Sequence, residues 1–185
     1  VRPIGDVLIW SRNPEHAERL AAETGGSAAT DAGEAAHAAD VICTATPATA
    51  PLFGAEVIRP GTHLNAMGAA IPEMAEIPPD TLERALVIVE DRAAAEAEAG
   101  DLIQAGVSPA GTLEDLLTGR LEGRSGPGVV TVFKSVEGSL RFVYKASPAD
   151  YSACNVGVTD WEPGTWHQLE AGWTQLASGD LIIVL

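Results

Sequence analysis

A serine and an arginine directly after a short apolar run are the residues of this sequence best suited to binding an anion. The run at 6–10 (DVLIW) is typical of a buried strand. Ser11 and Arg12 follow it, and then Asn13-Pro14, a pair that favours the start of a helix. A guanidinium, a hydroxyl and a helix N-terminus can bind a phosphate through charge-assisted hydrogen bonds. A solvated arginine at a strand end accounts for the same residues, and the sequence alone leaves both interpretations open.

The position of Arg12 matters because of a rule for dinucleotide-binding folds. After the second strand of such folds, an acid binds the ribose 2′-hydroxyl, whereas an arginine accommodates a 2′-phosphate. The first strand and its glycine-rich turn, G-x-G-x-x-G, are expected before Val7, and the sequence begins at Val1. We therefore expect a fold that is incomplete at its amino end.

Two further segments combine small and hydroxyl-bearing residues after apolar runs. Residues 44–46 (TAT) precede Pro47, and residues 67–69 (MGA) follow the run at 62–67. Small side chains there would let a ring or a ribose approach the backbone closely. A tight turn before Pro47 and a loop with Gly68 at positive φ are the simpler explanations, so each segment alone is a weak signal.

Strand and helix patterns alternate up to about residue 140. Strands are predicted at 6–10, 27–30, 40–46, 62–67, 86–89 and 129–133, and helices at 15–22, after Asp31, at 78–84, at 92–99 and at 112–118. This order predicts an α/β fold with a parallel sheet and helices on both faces, because the strands are continuous apolar runs. Ligands of such sheets bind at the carboxyl ends of the strands, which here are 11–12, 44–46, 67–69, 90–91 and 134–135.

Composition limits the classes of partner. Eleven basic and 26 acidic residues in a chain of 185 give a net charge of -15, which repels nucleic-acid phosphates. No run is long enough to span a membrane, and no signal peptide is recognised, so a cytoplasmic location is the default expectation. The four histidines show no metal-ligand spacing. Cys43, within an apolar run, is expected to be a small core residue.

The composition changes near residue 140. Six of the nine aromatic residues follow it: Phe142, Tyr144, Tyr151, Trp161, Trp166 and Trp173. Short β-type runs at 141–144 and 181–185 are separated by turn sequences at 162–164 and 178–180. We expect one domain at 1–140 and, at 141–185, a small antiparallel β tail of unknown role. Its tryptophans are expected to form a small core, with a stacking surface for carbohydrate or protein as the alternative.

Five stretches taken together, in order, resemble the ornithine cyclodeaminase/mu-crystallin family. They are 7–21 (VLIWSRNPEHAERLA), 39–53 (ADVICTATPATAPLF), 59–91 (RPGTHLNAMGAAIPEMAEIPPDTLERALVIVED), 99–103 (AGDLI) and 129–135 (VVTVFKS). The resemblance implies a Rossmann-type domain that binds NAD(H) or NADP(H). It also implies hydride exchange at a carbon that bears an amine or an imine, as in the cyclodeaminase, alanine dehydrogenase and ketimine reductase types.

The resemblance assigns eleven residues to the cofactor. It places Ser11, Arg12 and Asn13 around the adenosine ribose and its 2′-phosphate, and Thr44, Ala45 and Thr46 on the adenosine side of the cleft. It places Met67, Gly68 and Ala69 near the nicotinamide, and Lys134 and Ser135 near the nicotinamide and the substrate. Arg12 favours NADP(H) over NAD(H). The resemblance identifies no catalytic residue and no metal site in this sequence.

Three departures from the family pattern change the expected chemistry. The cyclodeaminase carries an aspartate where this chain has Ala70, which favours a dehydrogenase or ketimine reductase acting on an amino acid or cyclic imine. The family's amino-terminal half, with its substrate-binding cations and dimer surface, has no counterpart here, so the family homodimer is in doubt. The sequence after Val136 resembles no family. The alternative is a non-catalytic or interaction protein that keeps the family sheet.

Overall fold

A computed structural model describes residues 5–135 and, beyond them, the backbone of 139–147 and 150–157. The chain divides into two compact units, one of Arg2–Val136 and one that includes Glu137–Leu185. In the second unit, β8 (Ser139–Ser147) pairs antiparallel with β9 (Asp150–Gly157). The predicted strand 141–144 lies within β8, whereas 162–164, 178–180 and 181–185 lie outside the described residues.

The first unit alternates strands and helices along the chain. Its strands are β1 (Leu8–Ile9), β2 (Ser27–Ala28), β3 (Val41–Thr44), β4 (His63–Ala66), β5 (Leu86–Val89), β6 (Gly111–Thr112) and β7 (Thr131–Lys134). Its helices are α1 (Pro14–Thr24), α2 (Ala32–Ala38), α3 (Pro79–Arg84), α4 (Arg92–Glu98), α5 (Gly100–Ala105) and α6 (Leu113–Thr118), with a 3-10 helix at Ala55–Val57. Throughout the described ranges, no helix is long and apolar enough to cross a membrane.

Two parallel sheets form the framework of this unit. Five strands pair in the order β3-β4-β7-β5-β6, and β1 pairs with β2 in a separate two-stranded sheet. All of these pairings are parallel, which confirms the predicted α/β class. The last strand of the first unit, β7, lies at the centre of the larger sheet, so residues distant along the chain meet there.

The predicted helix boundaries follow their capping residues. Asn13 caps α1 by accepting a hydrogen bond from Glu15 N (3.1 Å), and Asp31 caps α2 by accepting from Glu34 N (2.8 Å). Gly25 and Gly119 end α1 and α6 in the left-handed conformation, with φ of 74° and 75°. The sequence does not predict helix α5: the pattern at 92–99 indicates a single helix, whereas in the structure α4 ends at Glu98 and α5 begins at Gly100.

Three strands of the sheet bury one face far more completely than the other, which corrects the expectation of continuous burial for them, whereas β5 is buried at Val87, Ile88 and Val89 as expected. In β3, β4 and β7 alternate residues are buried, as in a half-covered sheet. On the buried face, Leu64 and Val132 have no exposed surface and pack in one cluster with Leu82 and Leu102 from α3 and α5. On the other face, α6 contributes Leu113 and Leu116 to a cavity of about 140 Å³ that Leu86, Ile88 and Phe133 also line.

Cys43 lies on the less covered face and is exposed, so its expected place in the core was wrong. Its strand, β3, forms the edge of the five-stranded sheet, and the neighbouring Val41 is 57% exposed. In the part of the chain that the structure describes, alternate residues of this edge strand are therefore in contact with solvent. The apolar run that predicted a buried position therefore identified the strand but not its covered face.

Candidate functional site

The carboxyl ends of β3, β4 and β7 meet at one edge of the larger sheet. Thr44 pairs with Ala66, which in turn pairs with Lys134, so the three strands end in register. Backbone hydrogen bonds from Met67 N to Thr44 O (2.8 Å) and from Ser135 N to Ala66 O (3.0 Å) extend the pairing past the strand ends. The structure thereby brings together eight of the eleven predicted residues: Thr44, Ala45, Thr46, Met67, Gly68, Ala69, Lys134 and Ser135.

The other three predicted residues end β1, which belongs to the separate two-stranded sheet. Asn13 caps α1, and Ser11 Oγ accepts a hydrogen bond from Asn13 N (3.3 Å), so both side chains fix the local turn. The Arg12 side chain is exposed. A hydrogen-bonded turn at the amino end of an eleven-residue helix, next to an exposed guanidinium, is a suitable environment for a phosphate.

A buried carboxylate joins the ends of β3 and β4. Glu76 has no exposed surface. Its Oε2 accepts hydrogen bonds from Thr44 Oγ1 (2.8 Å) and from Gly68 N (2.9 Å), and its Oε1 accepts one from Thr46 N. The three donors satisfy the hydrogen-bonding capacity that a buried carboxyl group requires. One side chain therefore sets the spacing between two of the predicted cofactor segments.

A second buried acid supports the first. Asp101, at the start of α5, accepts hydrogen bonds through Oδ1 from Glu76 N (2.6 Å) and from Ile77 N (2.9 Å). Its Oδ2 lies 3.4 Å from the ammonium of Lys134, and both side chains have no exposed surface. The same ammonium donates a hydrogen bond to Gly68 O. Burial lowers the pKa of Lys134, and the charges of Asp101 and Glu76 oppose that shift.

The loop after β4 is held in an unusual backbone conformation. The alternative explanation of this loop placed Gly68 at positive φ, but the positive φ occurs instead at Ala69 (52°), which is fully buried. A non-glycine residue there is uncommon, and such conformations cluster at functional sites. A Cβ at Gly68 would overlap Thr46 O and the Glu76 carboxyl, so only glycine fits between the two strand ends.

An open cleft of about 730 Å³ lies beside the end of β1, and none of the eleven predicted residues lines it. Three segments line it: Trp10, which directly precedes Ser11; residues 30–34 and His37, in and before α2; and residues 52–54, 56 and 57. Trp10 and Phe53 offer aromatic surface to a flat ring. Asp31, Glu34 and Glu56 make the cleft unfavourable for phosphate but compatible with an uncharged base.

Sequence reasoning missed Glu76, Asp101, Trp10 and Phe53 as site residues. A weak signal for Glu76 was present in the sequence, because it lies between Ala75 and Ile77-Pro78, and an acid that is buried with apolar neighbours needs internal partners. Asp101 gave no such signal, because a helix-terminal aspartate is normally a solvated cap. Among the described residues, no group of three or more His, Cys, Asp or Glu side chains is arranged to hold a metal ion.

Comparison with known proteins agrees with this architecture. A family model described as "Ornithine cyclodeaminase/mu-crystallin family" matches residues 1–140. Ketimine reductase mu-crystallin of Mus musculus is 34% identical over 133 residues, covering 71% of this chain and 42% of the mouse protein. Delta(1)-pyrroline-2-carboxylate reductase of Bacillus cereus (strain ATCC 14579) is 36% identical over 150 residues, covering 74% and 46% of the two chains.

A solved structure shows the same fold. The Thermococcus litoralis Delta(1)-pyrroline-2-carboxylate reductase, in complex with NADH and L-proline, superposes with a TM-score of 0.64 at 27% identity, covering 70% of this chain and 44% of that one. The chain thus spans less than half the length of these relatives. The first unit is a Rossmann-type α/β domain, and the chain belongs to the ornithine cyclodeaminase/mu-crystallin family.

Proposed function

We propose that this chain binds a nicotinamide dinucleotide at the carboxyl edge of its sheet and serves in the reduction of the C=N bond of a cyclic imine. The observation that carries the proposal is the meeting of three strand ends, 44–46, 67–69 and 134–135, at one edge. Ligands of parallel α/β sheets bind outside the carboxyl ends of the strands. The names of the relatives, two imine reductases among them, support the reaction class.

The residues of this chain fit the two ends of such a cofactor differently. The cleft beside Trp10 and Phe53 suits an adenine ring, and the exposed Arg12 at the end of β1 suits a phosphate of the ribose. The edge formed by Met67, Gly68 and Ala69 suits the nicotinamide, because small residues and a fixed backbone allow a ring to lie close. The bound cofactor would supply the hydride.

The contribution of this chain is then to bind and orient. Eight predicted residues share one edge, and a buried hydrogen-bond network sets their spacing before any ligand arrives. Pre-set geometry lowers the entropic cost of reaching the reactive arrangement. We propose a cyclic imine carboxylate as the second substrate, which accepts the hydride, or, in the reverse direction, an amino acid that gives its hydride to the oxidised cofactor. Ala70 in the place of the cyclodeaminase aspartate favours reduction over cyclisation.

The test is a titration of the chain with NADPH and with NADH, followed by nicotinamide fluorescence. We expect saturable binding of both, with NADPH bound more tightly. Arg12→Gln should weaken NADPH binding about ten-fold, the equivalent of one charge-assisted hydrogen-bond pair, and leave NADH binding unchanged. Arg19→Gln, which replaces an exposed arginine on α1 seven residues after Arg12, is the matched control.

The results separate the proposals. Absence of saturable binding of either nucleotide would refute the cofactor proposal and favour an interaction protein that keeps the family sheet. Equal loss of NADPH and NADH affinity in Arg12→Gln would refute only the assignment of Arg12 to the 2′-phosphate. Consumption of NADPH on addition of Δ1-pyrroline-2-carboxylate would test the reaction class directly.

A further inference from the structure

Three charged side chains from three separate segments are buried together beneath the proposed cofactor edge. Glu76 lies between β4 and α3, Asp101 at the start of α5 and Lys134 at the end of β7. None of the three is more than 2% exposed. Burying charges is costly unless each is paired and hydrogen-bonded, so a core that only had to be stable would be better served by apolar residues. The cluster therefore calls for an explanation other than stability.

The partners of Glu76 show what the cluster controls. Its carboxylate binds two backbone N–H groups, one in each of the segments 44–46 and 67–69, together with the Thr44 hydroxyl. Thr46 and Gly68 lie past the last paired residues, Thr44 and Ala66, and past the bond from Met67 N to Thr44 O, where the sheet ladder no longer fixes the separation of the two segments. At that point the hydrogen bonds of Glu76 with Thr46 N and Gly68 N fix the separation of the two segments.

Gly68 is held from both sides by the cluster. Its N–H donates to Glu76 and its carbonyl accepts from Lys134. Both peptide planes of this residue are thereby fixed, and Ala69 follows directly with its positive φ. Asp101 completes the arrangement, because it binds the backbone N–H of Glu76 and pairs with Lys134.

We propose that Glu76, supported by Asp101 and Lys134, is a positioning residue for the cofactor: it sets the distance between the ends of β3 and β4 against which the nicotinamide dinucleotide lies. The inference rests on the proposed function. Glu76 and Asp101 touch neither cofactor nor substrate in this arrangement; they act through the backbone of Thr46 and Gly68.

The substitution that tests this inference is Glu76→Gln. It keeps the size of the side chain but replaces one acceptor oxygen by an NH₂ group, which faces a backbone N–H donor. The donor left without an acceptor must move, so one strand end shifts while the core below it remains packed. We expect the Kd for NADH to rise about ten-fold, the effect of one unsatisfied buried donor.

Two control variants isolate positioning from stability. Glu73→Gln removes an exposed carboxylate three residues away on the same segment. Leu82→Ala removes a buried core side chain of α3 that is 1% exposed, and lowers stability without removing any hydrogen bond of the network. All NADH titrations are run under conditions in which urea unfolding shows each variant fully folded. We expect both controls to bind NADH within about two-fold of the unsubstituted chain.

A second variant keeps the inference testable should Glu76→Gln fail to fold. Thr44→Val removes only the hydroxyl that donates to Glu76 at 2.8 Å. The carboxylate then keeps its two backbone donors, and we expect a three- to ten-fold rise in the Kd for NADH, on the order of one lost charge-assisted hydrogen bond.

The outcomes differ in what they overturn. Weak NADH binding in Glu76→Gln or Thr44→Val, with normal binding in both controls, supports the positioning role. Unchanged binding in a folded Glu76→Gln overturns it and leaves the proposed function intact. Equal weakening in Leu82→Ala also overturns it, because general stability would then be the cause. A chain that binds no NADH at all, before any substitution, removes the proposed function and this inference together.

Discussion

The most unusual residue of the structure is a lysine without exposed surface. Lys134 is paired with Asp101 at 3.4 Å and bonded to the carbonyl of Gly68. Its lowered pKa shows that burial outweighs the attraction of the nearby carboxylates. The structure tolerates the free-energy cost of burying this ammonium at the end of β7, where segments 44–46, 67–69 and 134–135 meet.

Removing one partner of the buried pair should destabilise the protein strongly. We expect Lys134→Met to lower the free energy of unfolding by about 3–5 kcal/mol, because Asp101 is left as an uncompensated buried charge. Glu96→Gln, which breaks an exposed pair with Arg92, should cost roughly 0–1 kcal/mol. Urea unfolding measures both, and similar values for the two variants would contradict the importance of burial.

His63 should titrate below the usual range of histidine. Burial lowers the pKa of His63 from 6.5; the hydrogen bond with Asn65 raises it and the charge of Arg124 lowers it further. The folded state therefore resists protonation, so the free energy of unfolding should fall as pH drops from 6.5 through the pKa of the folded state. NMR titration of the ring protons should give a higher pKa in Arg124→Gln and a lower one in Asn65→Ala. Shifts of the opposite sign would refute this account.

Among the elements, α6 is the helix whose start depends most on charge. Thr112 and Asp115 form a capping box, and Arg120 donates to the Asp115 carboxylate at 2.9 Å. The bond with Arg120, followed by those with Thr112, lowers the pKa of Asp115 from 3.8 to about 2. The ionised carboxylate therefore stabilises the folded state at neutral pH.

The contribution of Asp115 should disappear in acid. A depressed carboxylate pKa gives stability that is complete above the unfolded value of 3.8 and lost as pH falls toward 2. We expect the difference in unfolding free energy between the unsubstituted chain and Asp115→Asn to be constant near neutral pH and to shrink below pH 3.8. Arg120→Gln should show the same trend with a smaller amplitude. A pH-independent difference would mean that charge has no part in the cap.

Local chemistry explains which elements could be predicted from the sequence. Asn13, Asp31 and the glycines at 25 and 119 mark helix ends through bonds within a few residues. Apolar runs located four of the five strands of the larger sheet, whereas the two-residue β6 was not predicted. The covered face of β3 and the two network acids depend on neighbours far along the chain. Glu76 reaches Thr44 across 32 residues and Asp101 reaches Glu76 across 25. No local sequence pattern predicts such contacts.

For the candidate site, too, the sequence predicted the segments but not the long-range contacts between them. The resemblance and the strand-end rule selected segments 44–46, 67–69 and 134–135, which the sheet order brings to one edge. They did not show that Lys134 lies buried beneath that edge rather than on it. The assignment of each residue to a part of the cofactor stays a prediction, as does the domain boundary near 140.

For the whole molecule, the central position of β7 makes a truncation informative. A chain of residues 1–128 lacks β7, so β4 and β5 lose their common neighbour and Leu64 and Val87 lose packing partners. We expect this chain to show no cooperative unfolding by circular dichroism in urea, because the sheet is cut into two pieces. A chain of residues 1–140 should unfold cooperatively. Cooperative unfolding of the shorter chain would contradict the central role of β7.

The position of β7 also bears on how the protein is made. Thr131 pairs with His63, 68 residues earlier, and at roughly 5–20 residues per second a ribosome needs about 3–14 s to cover that separation. During this interval the edge of β4 that will pair with β7, and after residue 89 that of β5 also, have been synthesised but have nothing to pair with, and unpaired apolar edges attract other chains. The nascent protein is therefore most in need of a chaperone in the seconds before residue 134 leaves the exit tunnel.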